Sequence, residues 1–236
     1  MKLLVKDSGI ITKHYCEAFH IGLRAAKSNL LPAFILQAAA VSLLVAYRCS
    51  PYFRGVLDAV AELQEQYGII FAMLVRAFFS GLIPIVFQIV IPSLRPIKIW
   101  RALWFSLVWW SFQGVLAYLF YGLQAVMFGS STGWQSVLPK VLFDMLIYTT
   151  LIGCPSNSIA HIWLDMDCSW QRLKGVMGPG WYKRIVLPNL IPAWALWAPG
   201  VAVVYALPDA LQVHMASLIG CFWALLCLKI AAYTKK

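Results

Sequence analysis

Six apolar segments, 29–47, 69–92, 102–128, 138–163, 185–206 and 210–232, alternate with polar connectors along the chain. As an α-helix at ~1.5 Å per residue, even the shortest spans ~28 Å, about the thickness of a hydrocarbon core. The longer ones must tilt or run into the interface. Pro32 and Gln37 weaken the first segment. Alternation in ~10-residue pieces is absent, which argues against an outer-membrane barrel. The pattern predicts an all-α, polytopic transmembrane helix bundle of about six spans.

Two connectors carry a helical period of their own. In 51–67, Phe53, Val56, Leu57, Val60, Ala61 and Tyr67 share one face, and Arg54, Asp58, Glu62 and Glu65 the other, as in a helix lying at a membrane surface. In the N-terminal tail Ile11, Tyr15 and Phe19 recur every four residues. The segment 185–206 holds Pro188, Pro192 and Pro199. Each removes an N–H and kinks the helix, and the freed carbonyls need partners from neighbouring helices or water. That fits either a bent packing helix or backbone lining a polar cavity. Trp100, Trp104, Trp134, Trp163 and Trp181 fall near segment ends, where an aromatic belt places them. The resulting organisation is a basic amphipathic tail (1–28), an extra span with an interfacial helix (29–64), the main bundle (65–232) and a basic tail (233–236).

Composition points the same way. Hydrophobic residues make up 61% of the 236 and charged residues 12%, against roughly 45–50% and 25% in soluble domains. An ordinary soluble enzyme, a disordered chain and a disulfide-rich module are excluded. The six cysteines form no CxxC pair. The net charge of +10 would suggest nucleic acid in a soluble protein. Here its distribution speaks for the bilayer instead, with no nucleic-acid partner. With both termini on one side, fifteen Lys and Arg fall on that side and two, Arg48 and Arg54, on the other, as the positive-inside rule requires. "MKLLVKDSG" is too short in its apolar run for a secretory signal. The first 23 residues lack Arg and include Asp7 and Glu17, unlike a transit peptide. The expected location is a bacterial inner membrane or an organellar membrane, with termini on the cytoplasmic or matrix-type side.

No P-loop, dinucleotide fingerprint, GxSxG or HExxH occurs. Asp165, Asp167, His161 and Cys168 share a span end, but a metal site needs three or four converging ligands, and a solvated helix end is the simpler reading. No enzyme, cofactor or metal is expected. The strongest local anomaly is charge at membrane depth. Arg76 and Asp144 lie six or seven residues in from the same side, and Lys140 is one turn from Asp144. Each costs ~2.5–3.5 kcal/mol near a span centre, so a network among Arg76, Lys140 and Asp144 is the economical arrangement. It would either register the helices or line a hydrated path. Gln88, Gln113, Gln124, Asn157, His161 and His214 add polar positions within spans. Gln88, Gln113 and Asn157 are the expected polar interior. Ala216 and Gly220 form a weak small-xxx-small pair.

The spacing of several motifs resembles the Mpv-type, twenty-two-kilodalton peroxisomal membrane protein family over about 65–232. "GLIPIVFQ" supplies Gly81 and Gln88, with Pro84 where the family has Asp. Lys98 and Arg101 match its basic stretch. "GVLAYLFYGL" offers Gly114, with Tyr118 at the family's His position, then Phe120 and Tyr121. Lys140 and Asp144 match its lysine and Asp-Gln pair, with Met145 replacing Gln. "WAP" at 197–199, Pro208 and Trp223 fit its C-terminal register. The resemblance implies a peroxisomal or mitochondrial inner-membrane type of protein and a weakly selective channel for small solutes or ions. A non-catalytic scaffold or assembly role is the competing expectation. The bilayer is the expected partner, with small solutes or ions and a homo-oligomer as further candidates.

Overall fold

A computed structural model describes residues 30–234. The predicted N-terminal tail (1–28) and the last two residues of the basic C-terminal tail lie outside them. Among the described residues there is no strand. The α-helices are α1 (Leu30–Cys49), α2 (Pro51–Arg76), α3 (Ile83–Val90), α4 (Ile99–Phe128), α5 (Trp134–Phe143), α6 (Cys154–Asp165), α7 (Trp170–Val176), α8 (Leu187–Tyr205) and α9 (Asp209–Thr234). Three wider π-helical stretches, Ala77–Leu82, Asp144–Gly153 and Tyr182–Val186, join α2 to α3, α5 to α6, and lead into α8.

About six spans are expected from the sequence. Three continuous runs, Pro51–Val90, Ile99–Phe128 and Trp134–Asp165, are long and apolar enough to cross a membrane. A fourth follows if Tyr182–Leu190 and Ala193–Tyr205, bent by 50°, count as one span. Phe34–Cys49 is a shorter apolar helix, and α9 coincides with the last predicted segment. The connector 51–67 and the segment 69–92 form one helical run with a break at Gly68, whose φ of 54° and ψ of −126° lie where only glycine is comfortable. Gln64 Nε2 donates to the Gly68 carbonyl at 2.6 Å. On the N-terminal arm Phe53, Leu57, Val60 and Ala61 are half-buried, while Arg54, Asp58, Glu62 and Glu65 are exposed; Val56 and Tyr67, expected on the apolar face, are exposed as well.

The π-helical stretches share a feature. Pro84, Pro155 and Pro188 each stand second in the α-helix that follows one. A proline ring cannot donate and clashes with the carbonyl four residues back. A wider turn moves that carbonyl aside and leaves backbone acceptors free, which in lipid must be satisfied from within the protein. Ser106 Oγ donates to the Gly81 carbonyl at 3.1 Å. Tyr182 Oη donates to the Thr150 carbonyl at 2.8 Å, and Trp194 Nε1 to the Met145 carbonyl at 3.2 Å. Ser156 Oγ and Asn157 Nδ2 both donate to the Gly153 carbonyl at 3.1 Å.

The described chain divides into two compact units, one of residues 32–142 with 199–234, the other of 143–198. In the first, α9 packs on α2, α3, α4 and the π-helical stretch between α2 and α3. Leu211, Gln212, Val213, Met215, Ala216, Ser217, Ile219 and Cys221 are all buried. Over 211–221 this helix is buried on successive faces, which puts that stretch at the centre of its unit. In the second unit α6 packs on α7 and on Tyr182–Val186. The hydrogen bonds from Tyr182 and Trp194 tie the bent run to Asp144–Gly153.

Candidate functional site

Two stretches, α4 and residues 70–81, are turned inside out relative to a soluble protein. On α4 the buried positions are Ala102, Gln113, Gly114, Ala117, Tyr121 and Gln124, and the last five recur every one, three or four residues along one face. Its exposed positions include Trp104, Val108, Phe112, Leu119, Leu123 and Val126. Between residues 70 and 81, Ala72, Ala77, Ser80 and Gly81 are buried while Ile70, Leu74 and Phe78 are exposed. Small and polar residues face protein, and large apolar residues face outward. Water penalises that arrangement, whereas lipid, as apolar as leucine, accepts it. The apolar helices and this inversion are consistent with a membrane-embedded protein.

Inside the first unit the polar groups gather at two stations along α9. At the first, Lys140, 1% exposed, places Nζ 3.3 Å from Asp209 Oδ1 and 5.9 Å from the centre of the Tyr205 ring. Gln212 Nε2 donates to the same Asp209 oxygen at 2.8 Å. Gln124 Nε2 donates to Tyr205 Oη at 2.9 Å, and the Tyr121 and Tyr205 rings meet edge to face at 5.6 Å. The second station lies eight residues further along α9, about 12 Å at the helical rise. There Arg76 Nη1 donates to Ser217 Oγ at 3.5 Å, and the guanidinium lies 5.6 Å from the centre of the Trp110 ring, a cation–π geometry. Ser217 Oγ donates to the Val213 carbonyl at 2.6 Å, and Ser80 Oγ donates to the Ser217 carbonyl at 3.4 Å. Phe71 packs on His214 with ring centres 5.1 Å apart.

Of the three charges singled out from the sequence, Arg76 and Lys140 lie in the first unit. Arg76, from α2, and Lys140, from α5, meet different turns of α9. Asp144 belongs to the other unit, where it is 4% exposed and accepts from Thr149 Oγ1 at 3.1 Å. Gln113 is buried, whereas Gln88 and Asn157 are half-buried. Asp165 and His161 are exposed at the end of α6, and Asp167 pairs with Arg172 at 3.8 Å. Among the described residues no three His, Cys, Asp or Glu side chains gather as a metal site would require.

Asp209 is the residue that sequence reasoning missed, because it was left in the connector 207–209. A signal existed. Asp209 opens an apolar helix directly after Pro208 and is followed three residues later by Gln212, a helix-start pattern. Lys140 likewise stands near the start of its own segment, so the two sit at matching depth if both segments begin on the same side. Pro84 and Pro155, each within an apolar segment, were the overlooked marks of the π-helical stretches. No family model, curated protein or solved structure matches this chain.

Proposed function

We propose that the chain is a six-span integral membrane protein of the Mpv-type, twenty-two-kilodalton family, with both termini on the positively charged side. We further propose that its inward-facing polar residues give weakly selective passage to small solutes or ions. The observation that carries this reading is the inversion of the helices. Arg76, Ser80, Gln113, Gln124, Lys140, Gln212 and Ser217 turn toward protein, while the outward surface is Leu, Phe, Val and Trp. Polar groups at membrane depth are tolerated most readily where they pair or where water reaches them. A non-catalytic scaffold is the second reading. It is favoured by the engagement of Lys140 with Asp209 and of Arg76 with Ser217 and Trp110, contacts that also serve to fix helix register.

Sidedness is read out by cysteine labelling. Lys98→Cys and Lys174→Cys are expected to react from one face of the membrane, and Arg54→Cys and Ser131→Cys from the opposite face. Reaction of Lys98→Cys and Arg54→Cys from the same side would end the six-span reading.

Conductance separates the two functions. With Lys140 neutralised by Asp209, Asp144→Asn removes a negative charge while Arg76 stays positive, so anion preference should rise. The measurement is the reversal potential across a salt gradient in planar bilayers. Well-folded protein with no conductance at any voltage or pH tried would leave the scaffold reading in place. Conductance with unchanged selectivity would put the path away from Asp144.

A further inference from the structure

We propose that the pocket at the start of the bent run Tyr182–Tyr205 binds the headgroup of an anionic phospholipid. This inference rests on the reading of that run as membrane-embedded. The pocket has a volume of about 310 Å³ and is lined by Gly180, Trp181, Tyr182, Lys183 and Leu187. That volume is at the small end of ligand clefts, ~300–1,000 Å³, so it suits a headgroup and its glycerol rather than a whole lipid.

The walls are set by contacts outside the pocket. Tyr182 is held by its hydrogen bond to the Thr150 carbonyl at 2.8 Å, one of the acceptors that the π-helical stretch frees. The Trp181 ring stands edge-on to it, with centres 5.8 Å apart and planes at 74°. Gly180, at φ 76°, turns the chain into the helix with a backbone that a side chain would strain. Beside Lys183, the Arg184 guanidinium donates to the Val176 carbonyl at 3.3 Å, which keeps a second cation next to the pocket.

The chemistry of the lining selects the occupant. The pocket is chiefly apolar, with one ammonium at an exposed position and an aromatic pair. A free anion gains little from an apolar floor, and an uncharged lipid gains little from Lys183. An anionic phospholipid uses both. The connector 164–184 carries four basic and two acidic residues, and one of the acids, Asp167, already pairs with Arg172. Aromatic rings and basic side chains at the end of a span are the groups that meet headgroups at the interface.

The test uses the full-length protein purified in mild detergent and exposed to phosphatidylglycerol or phosphatidylcholine of matched chains, with retained lipid counted by native mass spectrometry. Wild-type protein is expected to retain phosphatidylglycerol preferentially. K183Q should weaken that retention about fivefold, and K183Q/R184Q about thirtyfold, with phosphatidylcholine retention unchanged. K98Q, in a different basic connector, should change nothing. Equal retention of the two lipids, an unchanged K183Q/R184Q variant, or an equal loss in K98Q would overturn the site. Displacement of the lipid by millimolar inorganic phosphate would overturn the lipid as occupant. Release of the protein from membranes by alkaline carbonate would remove the membrane reading beneath the inference. A carbonate-resistant protein without lipid preference would sink the inference alone.

Discussion

Gly114→Ala is expected to lower stability by about 1–3 kcal/mol, and Gly114→Leu to prevent α2 and α4 from docking in this register. A Cβ at position 114 would lie 2.8 Å from the Ala72 carbonyl oxygen, 2.9 Å from Met73 Cα and 2.9 Å from Arg76 Cβ. Two of these atoms are backbone, so no rotamer change relieves the clash, and the helices must move apart. In lipid that separation is costly, because helix association there rests on close packing and interhelical hydrogen bonds. It would also shift Arg76, one turn from Ala72, away from Ser217 and Trp110. Gly122 on the same helix is the control. A Cβ there meets nothing within 4 Å, so Gly122→Ala should be neutral or stabilise by about 0.5–1 kcal/mol through helix propensity alone. Thermal unfolding in detergent compares the two. Equal behaviour of Gly114→Ala and Gly122→Ala would mean that the α2–α4 crossing is looser than described.

Asp209→Ala is expected to destabilise more than Lys140→Met, although both delete the same ion pair. The difference lies in what is left behind. Lys140 is almost fully enclosed, and without Asp209 it becomes a buried ammonium deprived of its counter-charge. Breaking buried pairs this way costs about 3–5 kcal/mol. The Asp209 side chain is 32% exposed, so solvent screens the pair, and the loss should fall at the lower end, about 3 kcal/mol. Lys140→Met leaves Asp209 with solvent and the Gln212 carboxamide, and methionine fills the space of the lysine stem, so about 1 kcal/mol is expected. The double variant Lys140→Met, Asp209→Ala should recover most of the loss caused by Asp209→Ala. Chemical or thermal unfolding of the four proteins supplies the cycle. Additive losses would show that the two residues are not coupled.

The two variants bear differently on function. Gly114→Ala acts on the crossing that positions Arg76, while Asp209→Ala acts on the station at the opposite end of the same stretch of α9. In a conducting protein the two should alter conductance independently of each other. In a scaffold both should register only as lost stability.

The helices and their setting were legible in the sequence because both are local properties. Each apolar segment carries enough hydrophobic residues in succession to define a helix, and among the described residues a helical run covers each of the six, although only three, or four with the bent pair, are long and apolar enough to cross a membrane. The division of 51–67 into half-buried and exposed residues follows from its 3.6-residue period. The continuity of that arm with the segment after it was not legible, because one glycine at positive φ serves equally well as a loop or as a break within a helical run. The π-helical stretches were half legible. Prolines in 185–206 signalled a bend, but Pro84 and Pro155 pass in sequence for ordinary kinks. Only the tertiary structure shows that Ser106, Tyr182 and Trp194 donate to carbonyls within these stretches.

Partner choice was decided by the fold alone. Depth along a segment can be counted from the sequence, so Arg76, Lys140 and Asp144 were recognisable as charges in costly positions. Which residue meets which depends on helix neighbours and rotation, and neither is encoded in any one segment. Lys140 thus finds its counter-charge 69 residues away in Asp209, at the first turn of α9. Gly114 was visible as a residue, but its role as the point where two backbones touch exists only once α2 and α4 are packed.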